Sequence, residues 1–243
     1  MHPTESSINS LIGRLQSSRL RIAIDGPAGA GKSTLARKVA ESLGYLYIDT
    51  GAMYRAATLI VLRAGIALDD DQKIGAELGL HNIELLASSN SEFGQRVLVD
   101  GVDESDSIRS REIANQVSAI SALPSVRTQL VAHQRSLAAA GAVVLDGRDI
   151  GTVVLPDAEV KIFLVASPNV RAHRRYLELR ACGQKIDLET VLQEIIERDR
   201  KDSSRTLAPL KPATDAIVIE SDNRTVEQLV AEIIELCGRV EVA

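Results

Sequence analysis

Residues 26–33 read Gly-Pro-Ala-Gly-Ala-Gly-Lys-Ser, which puts Gly26, Gly31, Lys32 and Ser33 at the set positions of a phosphate-binding loop. The chemistry asks for these residue types. Glycines let the backbone curl until successive N–H groups converge on one anion. The helix that follows opens with unpaired N–H groups and the positive end of its dipole. The Lys32 ammonium adds a point charge beside the β- and γ-phosphates, and the Ser33 hydroxyl is a ligand for Mg2+. The run from Gly26 through Pro27, Ala28, Gly29, Ala30, Gly31, Lys32 and Ser33 to Thr34 is therefore the expected cradle of a nucleoside triphosphate. Its setting agrees. Residues 21–25 read as a short buried strand, and residues 34–43 as a helix with Leu35, Val39 and Leu43 four apart and Gly44 as its stop.

Downstream, apolar strands alternate with amphipathic helices, which predicts an α/β fold: a parallel sheet covered by helices. Residues 45–48 predict a strand that runs into Asp49-Thr50-Gly51-Ala52-Met53-Tyr54-Arg55. Thr50 is the expected N-cap, and Tyr54 and Arg55 then project within one turn of the helix start. An arginine there suits a phosphate oxygen, although a surface arginine on a capped helix has the same sequence. Residues 81–105 break the rhythm with two β-like runs around the turn-rich segment 88–94. They read as a small antiparallel insertion of the kind that holds a second substrate and closes on it. A helix over 108–122 carries Ser118, and Pro124 opens another with Arg127 in its first turn.

Residues 142–145 form an apolar strand that delivers Asp146-Gly147-Arg148-Asp149 at the carboxyl edge, where open parallel sheets bind ligands. Pro168 opens a helix with Arg171, Arg174 and Arg175 on one face, either an anion site or a solvated face relieved by Glu178. The helix from Leu188 puts Arg198, Asp202 and Arg205 at i, i+4 and i+7, a shared face if the helix extends that far. Residues 1–20 have Ile8, Leu11, Ile12 and Leu15 at helical spacing, but read as a solvated or loosely docked tail. The domain is expected over 21–243, with its core at 21–80 and 106–243.

A net charge of −5 gives no global basic character for nucleic acid, so an anionic substrate has to be met by local arginines. The two cysteines, Cys182 and Cys237, have no metal-ligand spacing and suit a reducing compartment. No apolar run approaches membrane-spanning length and the first twenty residues lack an apolar leader core, so a cytoplasmic location is expected. The expected partners are small molecules, with neither nucleic acid nor membrane, acting on a monomer. A guanine-specific switch should carry Asn-Lys-x-Asp after a strand, and the chain has no Asn-Lys pair. Arg55, Arg127, Arg148, Arg171, Arg174, Arg175, Arg198 and Arg205 supply more positive charge than one triphosphate requires. They suit a second phosphorylated substrate, whose charge must be brought beside the γ-phosphate.

Four motifs then carry a family resemblance: Ile-Asp-Gly-Pro-Ala-Gly-Ala-Gly-Lys-Ser, Asp-Thr-Gly-Ala-Met-Tyr-Arg, Asp-Gly-Arg-Asp-Ile-Gly-Thr-Val-Val and Glu-Arg-Asp-Arg-Lys-Asp-Ser-Ser-Arg. From about Arg21 to Cys237 the chain resembles the bacterial cytidylate kinases, which transfer the ATP γ-phosphate to CMP and dCMP. The resemblance implies a three-layer nucleoside monophosphate kinase fold, an antiparallel insertion and a mobile lid over about 171–205. It implies a cytosine pocket of Ser118, Arg127 and Asp149, with ribose and phosphate contacts from Arg55, Arg148, Arg198, Asp202 and Arg205. The pocket is chemically apt, since cytosine offers an exocyclic amino donor to Asp149 and two acceptors to Arg127 and Ser118. Thr50 and Tyr54 complete the expected acceptor site. Lys32, Arg148, Arg174 and Arg205 are expected to stabilise the moving phosphoryl group, with Mg2+ on Ser33 and Asp146 orienting a metal-bound water. Another monophosphate or small-metabolite kinase of the same fold is the alternative.

Overall fold

The structure, a computed structural model, describes residues 5–88, 94–181 and 183–241. In chain order the elements are α1 (Glu5–Ser18), β1 (Arg21–Asp25), α2 (Lys32–Leu43), β2 (Leu46–Asp49), α3 (Thr50–Arg63), α4 (Asp71–Leu78), β3 (Ile83–Ala87), β4 (Gln95–Val99) and β5 (Val102–Asp103). A single 3-10 turn, Ser107–Arg109, precedes α5 (Arg111–Ile120), α6 (Pro124–Ala138) and β6 (Val143–Gly147). A π-helical turn, Ile150–Val154, leads to β7 (Val160–Val165), α7 (Pro168–Ala181), α8 (Leu188–Ser203), β8 (Ile217–Glu220) and α9 (Val226–Glu241). Five strands form one sheet in the order β2-β6-β1-β7-β8, and β3-β4-β5 form a second, antiparallel sheet. β1 pairs in parallel with β6 on one side and β7 on the other. Central parallel strands are covered on both faces, which is why β1 and β6 are apolar along most of their length: Ile22, Ala23, Ile24, Val143, Val144 and Leu145 are fully buried.

The chain divides into two compact units, Met1–Leu46 with Ala140–Ala243, and Tyr47–Ala139. The antiparallel insertion expected at 81–105 lies inside the second. Its turn residues 89–93 fall outside the described residues, as does Cys182. In the first unit α7 and α8 pack on each other through Ala172, Leu179, Val191 and Ile195, a satellite cluster of their own.

Three local readings change. Thr50 is not the cap of α3. Asp49 is, and its carboxylate accepts from Ala52 N at 2.8 Å, because the strand ends one residue later than its apolar pattern suggests. The helix expected over 108–122 is interrupted at Ser110, whose hydroxyl accepts from Ile113 N at 3.4 Å and starts α5 afresh. Asp146 and Gly147 belong to β6 itself, so a carboxylate is carried inside a buried strand.

The N-terminal extension is a docked helix rather than a loose tail. α1 packs on α9 and α2, and Leu15 is fully buried. Tyr45, just after α2, pins it: its hydroxyl donates to Leu15 O at 2.5 Å and accepts from the buried Leu20 N at 3.1 Å. Tyr45→Phe strands that N–H, so unfolding in urea should show a loss of about 1–2 kcal/mol with turnover unchanged. An unshifted midpoint would mean that water replaces the hydroxyl.

Candidate active site

In the first unit, β1 ends at Asp25 and the loop begins. A side chain at Gly26 is excluded, because an added Cβ would lie 2.1 Å from the Leu164 carbonyl oxygen of β7. Gly31 caps α2 in the left-handed region, φ 93°. The loop's carbonyls are held by neighbouring donors. Lys32 Nζ donates to Pro27 O at 2.7 Å and Arg171 to Ala28 O at 3.1 Å. Ser221 Oγ donates to Ala30 O at 3.1 Å. Holding the carbonyls leaves the loop's N–H groups to converge on an anion. Lys32 is buried; burial first, and then the Arg148 guanidinium, hold its ammonium well below the usual lysine range against the pull of Asp146 and Asp25. Ser33 Oγ donates to Asp146 Oδ2 at 2.8 Å, which puts a hydroxyl and a carboxylate side by side at the start of α2.

Arg148 follows β6, and its Nε donates to Asp202 Oδ2 at 3.1 Å. Arg205 reaches Asp202 Oδ1 at 2.6 Å. Burial would raise the Asp202 pKa, but Arg148, Arg205 and Arg198 together hold it below the usual carboxylate range. One buried carboxylate thus collects three guanidiniums, and the cluster keeps excess positive charge. Arg148 and Arg198 also act on Lys32, so the cluster lies beside the loop. Arg205 joins it from beyond the end of α8, not from a shared helix face, since that helix stops at Ser203.

Arg171, Arg174 and Arg175 do not act as one row. Arg171 is 3% exposed and forms a bidentate pair with Asp199 of α8 at 3.1 and 2.6 Å, while its Nε donates to Ala166 O at 3.0 Å. Arg174 lies at the loop's crest, donating to Ser221 O at 3.1 Å and to Ser221 Oγ at 3.2 Å. Arg175 pairs with Glu178 at the surface. Helical spacing put the three on one side, but the partner that separates them comes from another helix.

In the second unit, Arg55 pairs with the capping carboxylate of Asp49 at 2.9 Å, and Thr50 is buried as the first residue of α3. Arg127 is buried and donates to the Tyr54 hydroxyl at 3.2 Å. Ser118 is half-buried on α5. Arg109, absent from the sequence reading, sits beside Arg55; burial first, and then Arg55, lower its pKa. Burial and Arg55 outweigh the pull of Asp49 and Asp106 on Arg109, so two guanidiniums lie close together around the Asp49 carboxylate. Its only signal in sequence was an arginine before a serine cap.

Asp25 is the other residue the sequence reading missed. Its carboxylate accepts from Ile150 N and Gly151 N, each at 2.8 Å, at the start of the turn after Asp149. Asp149 itself is buried.

The family model for cytidylate kinase matches residues 22–239. The chain is 54% identical over 217 residues to the cytidylate kinase of Geobacillus sp. (strain WCH70), covering 89% of this chain and 96% of that one. It is 51% identical to that of Geobacillus kaustophilus, with 90% and 96% covered. With that of Carboxydothermus hydrogenoformans the identity is 46%, and 90% and 98% are covered.

Proposed function

The chain belongs to the cytidylate kinase family, and from this premise we propose which residues carry each part of the phosphoryl transfer. The enzyme is a phosphotransferase that uses ATP to phosphorylate CMP and dCMP, giving CDP and dCDP. The nucleophile is an oxygen of the acceptor's phosphate. A phosphate monoester has its second pKa near ~6, so it is mostly ionised at neutral pH and needs no general base. Rate enhancement then comes from in-line positioning and from neutralising charge on the moving group.

The loop from Gly26 to Thr34 receives the triphosphate. Lys32, whose ammonium donates to Pro27 O within the same loop, supplies its charge to the phosphates. The observation that carries this reading is the Asp202 cluster: Arg148 and Arg205 are pre-aimed by one buried carboxylate, with Arg198 adjacent, in the unit that holds the loop. These arginines take the acceptor phosphate and the transferred group, with Arg174 at the loop's crest. Asp202 serves the acceptor by positioning them as well as by meeting the ribose. Asp149 takes the cytosine amino N–H, while Arg127, steadied by Tyr54, and Ser118 donate to the ring acceptors. Arg55 and Arg109, at the start of α3 and the turn before α5, meet the acceptor's phosphate and ribose, with Thr50 beside them.

The Ser33 hydroxyl and Asp146 carboxylate suit Mg2+, a hard cation that takes oxygen ligands and keeps several waters. Ser33 would ligate it and Asp146 would orient a bound water; such a cation would supply charge neutralisation at the phosphates. We place the enzyme in the cytoplasm as a monomer, with neither nucleic acid nor membrane as partner. Buried Cys237, its thiol pushed up to about 12 by burial, suits a reducing compartment. Among the described residues no helix is long and apolar enough to cross a membrane.

The test is a panel of acceptor monophosphates with ATP, read as ADP release. CMP and dCMP should exceed UMP, AMP and GMP in kcat/KM by on the order of 10² or more. Equal turnover of UMP, or a preference for a purine, would overturn the residue assignment.

A further inference from the structure

We propose that Asp25 is a positioning residue that ties the base-reading aspartate to the strand from which the phosphate loop springs. The proposal rests on the reading of Asp149 as the cytosine acceptor. Asp25 is the last residue of β1, opposite Gly147 of β6 in the parallel register. Its two oxygens take the N–H groups of Ile150 and Gly151, the two residues that follow Asp149. The carbonyl of Asp149 in turn accepts from Val153 N at 2.8 Å and Val154 N at 3.2 Å, so the π-helical turn is closed from both sides. The residue after Asp25 is Gly26. One side chain therefore links the donor cradle to the acceptor reader.

A plain structural cap would not need a charge here. Burial first raises the Asp25 pKa to about 6, against the two backbone N–H bonds and Lys32. Of the charged groups around it, Lys32 on α2 favours the ionised form and Asp149 opposes it. The stem of Lys161 on β7 lies across Gly151, but its ammonium turns to Asp215. A folded-state pKa above the ordinary 3.8 means that this group's stability contribution is full below about pH 4 and is lost as pH rises through about 6. At neutral pH the fold thus carries a net cost for an ionised Asp25. The ionised form is the one with two acceptor oxygens, one for each N–H. An amide or a protonated acid would turn a donor against one of them.

Asp25→Asn tests this. With the protein folded, KM for CMP should rise by on the order of tenfold and the CMP-over-UMP ratio of kcat/KM should fall, with KM for ATP within about twofold of wild type. An unchanged ratio, or an equal rise in both KM values, overturns the proposal. If the variant does not fold, the wild type is read between about pH 5 and about pH 8. The CMP-over-UMP ratio should then fall below about 6 as Asp25 takes up its proton, the phosphate titration being common to both acceptors. A flat ratio overturns the proposal. Asp149→Ala separates the two readings. If that variant shifts the ratio and Asp25→Asn does not, the positioning role alone fails; if Asp149→Ala does not shift it, both fail.

Discussion

Lys32→Met protein should fold normally and turn over CMP more slowly by on the order of 10²–10³. The two halves of this expectation come from the same environment. Lys32 is 5% exposed, and burial together with Arg148 already disfavours its charged form. Methionine matches the stem's volume and brings no charge into that site, so the fold loses one hydrogen bond to Pro27 O and sheds a desolvation cost. Catalysis has no such compensation. The phosphoryl group passes through the transition state with charge on its equatorial oxygens, and methionine offers nothing to meet it. The measurements are kcat from a coupled ADP assay and a thermal melt on the same preparation. Turnover within a fewfold of wild type would remove Lys32 from the chemistry.

Asp149→Ala should act on one substrate and spare another. Cytosine presents an amino N–H where uracil presents a carbonyl oxygen. A buried carboxylate rewards the first and repels the second. Asp149 is 5% exposed, so little water remains to soften either effect. Without it, kcat/KM for CMP should fall by on the order of 10² or more, while UMP changes by a few fold in either direction. The ratio of the two, measured at fixed ATP, isolates the base from the phosphate. An equal loss for both would mean that Asp149 shapes the loop and does not read the base.

Much of the donor half could be read directly. The phosphate loop, β7 from Val160 to Val165 and the stop at Gly44 depend on local patterns and lie where those patterns put them. The missed parts are those whose partners are remote. Asp25 fell within a short buried strand with no role of its own, and the N–H groups it holds are 125 and 126 residues away. Arg171 looked equivalent to Arg174 and Arg175 until Asp199, 28 residues on, took it out of the row. The extension at the N-terminus had helical spacing, but its docking depends on the phenol of Tyr45 and on α9 at the other end of the chain.

From residue order alone came the alternation of strands and helices, the phosphate-loop motif and the surplus of arginines from which a second anion is expected. These follow from steric and hydrogen-bonding preferences that act within a few residues. Folding in three dimensions settled which charges meet: Asp202 with Arg148 and Arg205, Arg171 with Asp199, Asp25 with the turn after Asp149. Electrostatic and hydrogen-bond energies depend on distance in space and on burial, and neither is written in the spacing of residues along a chain.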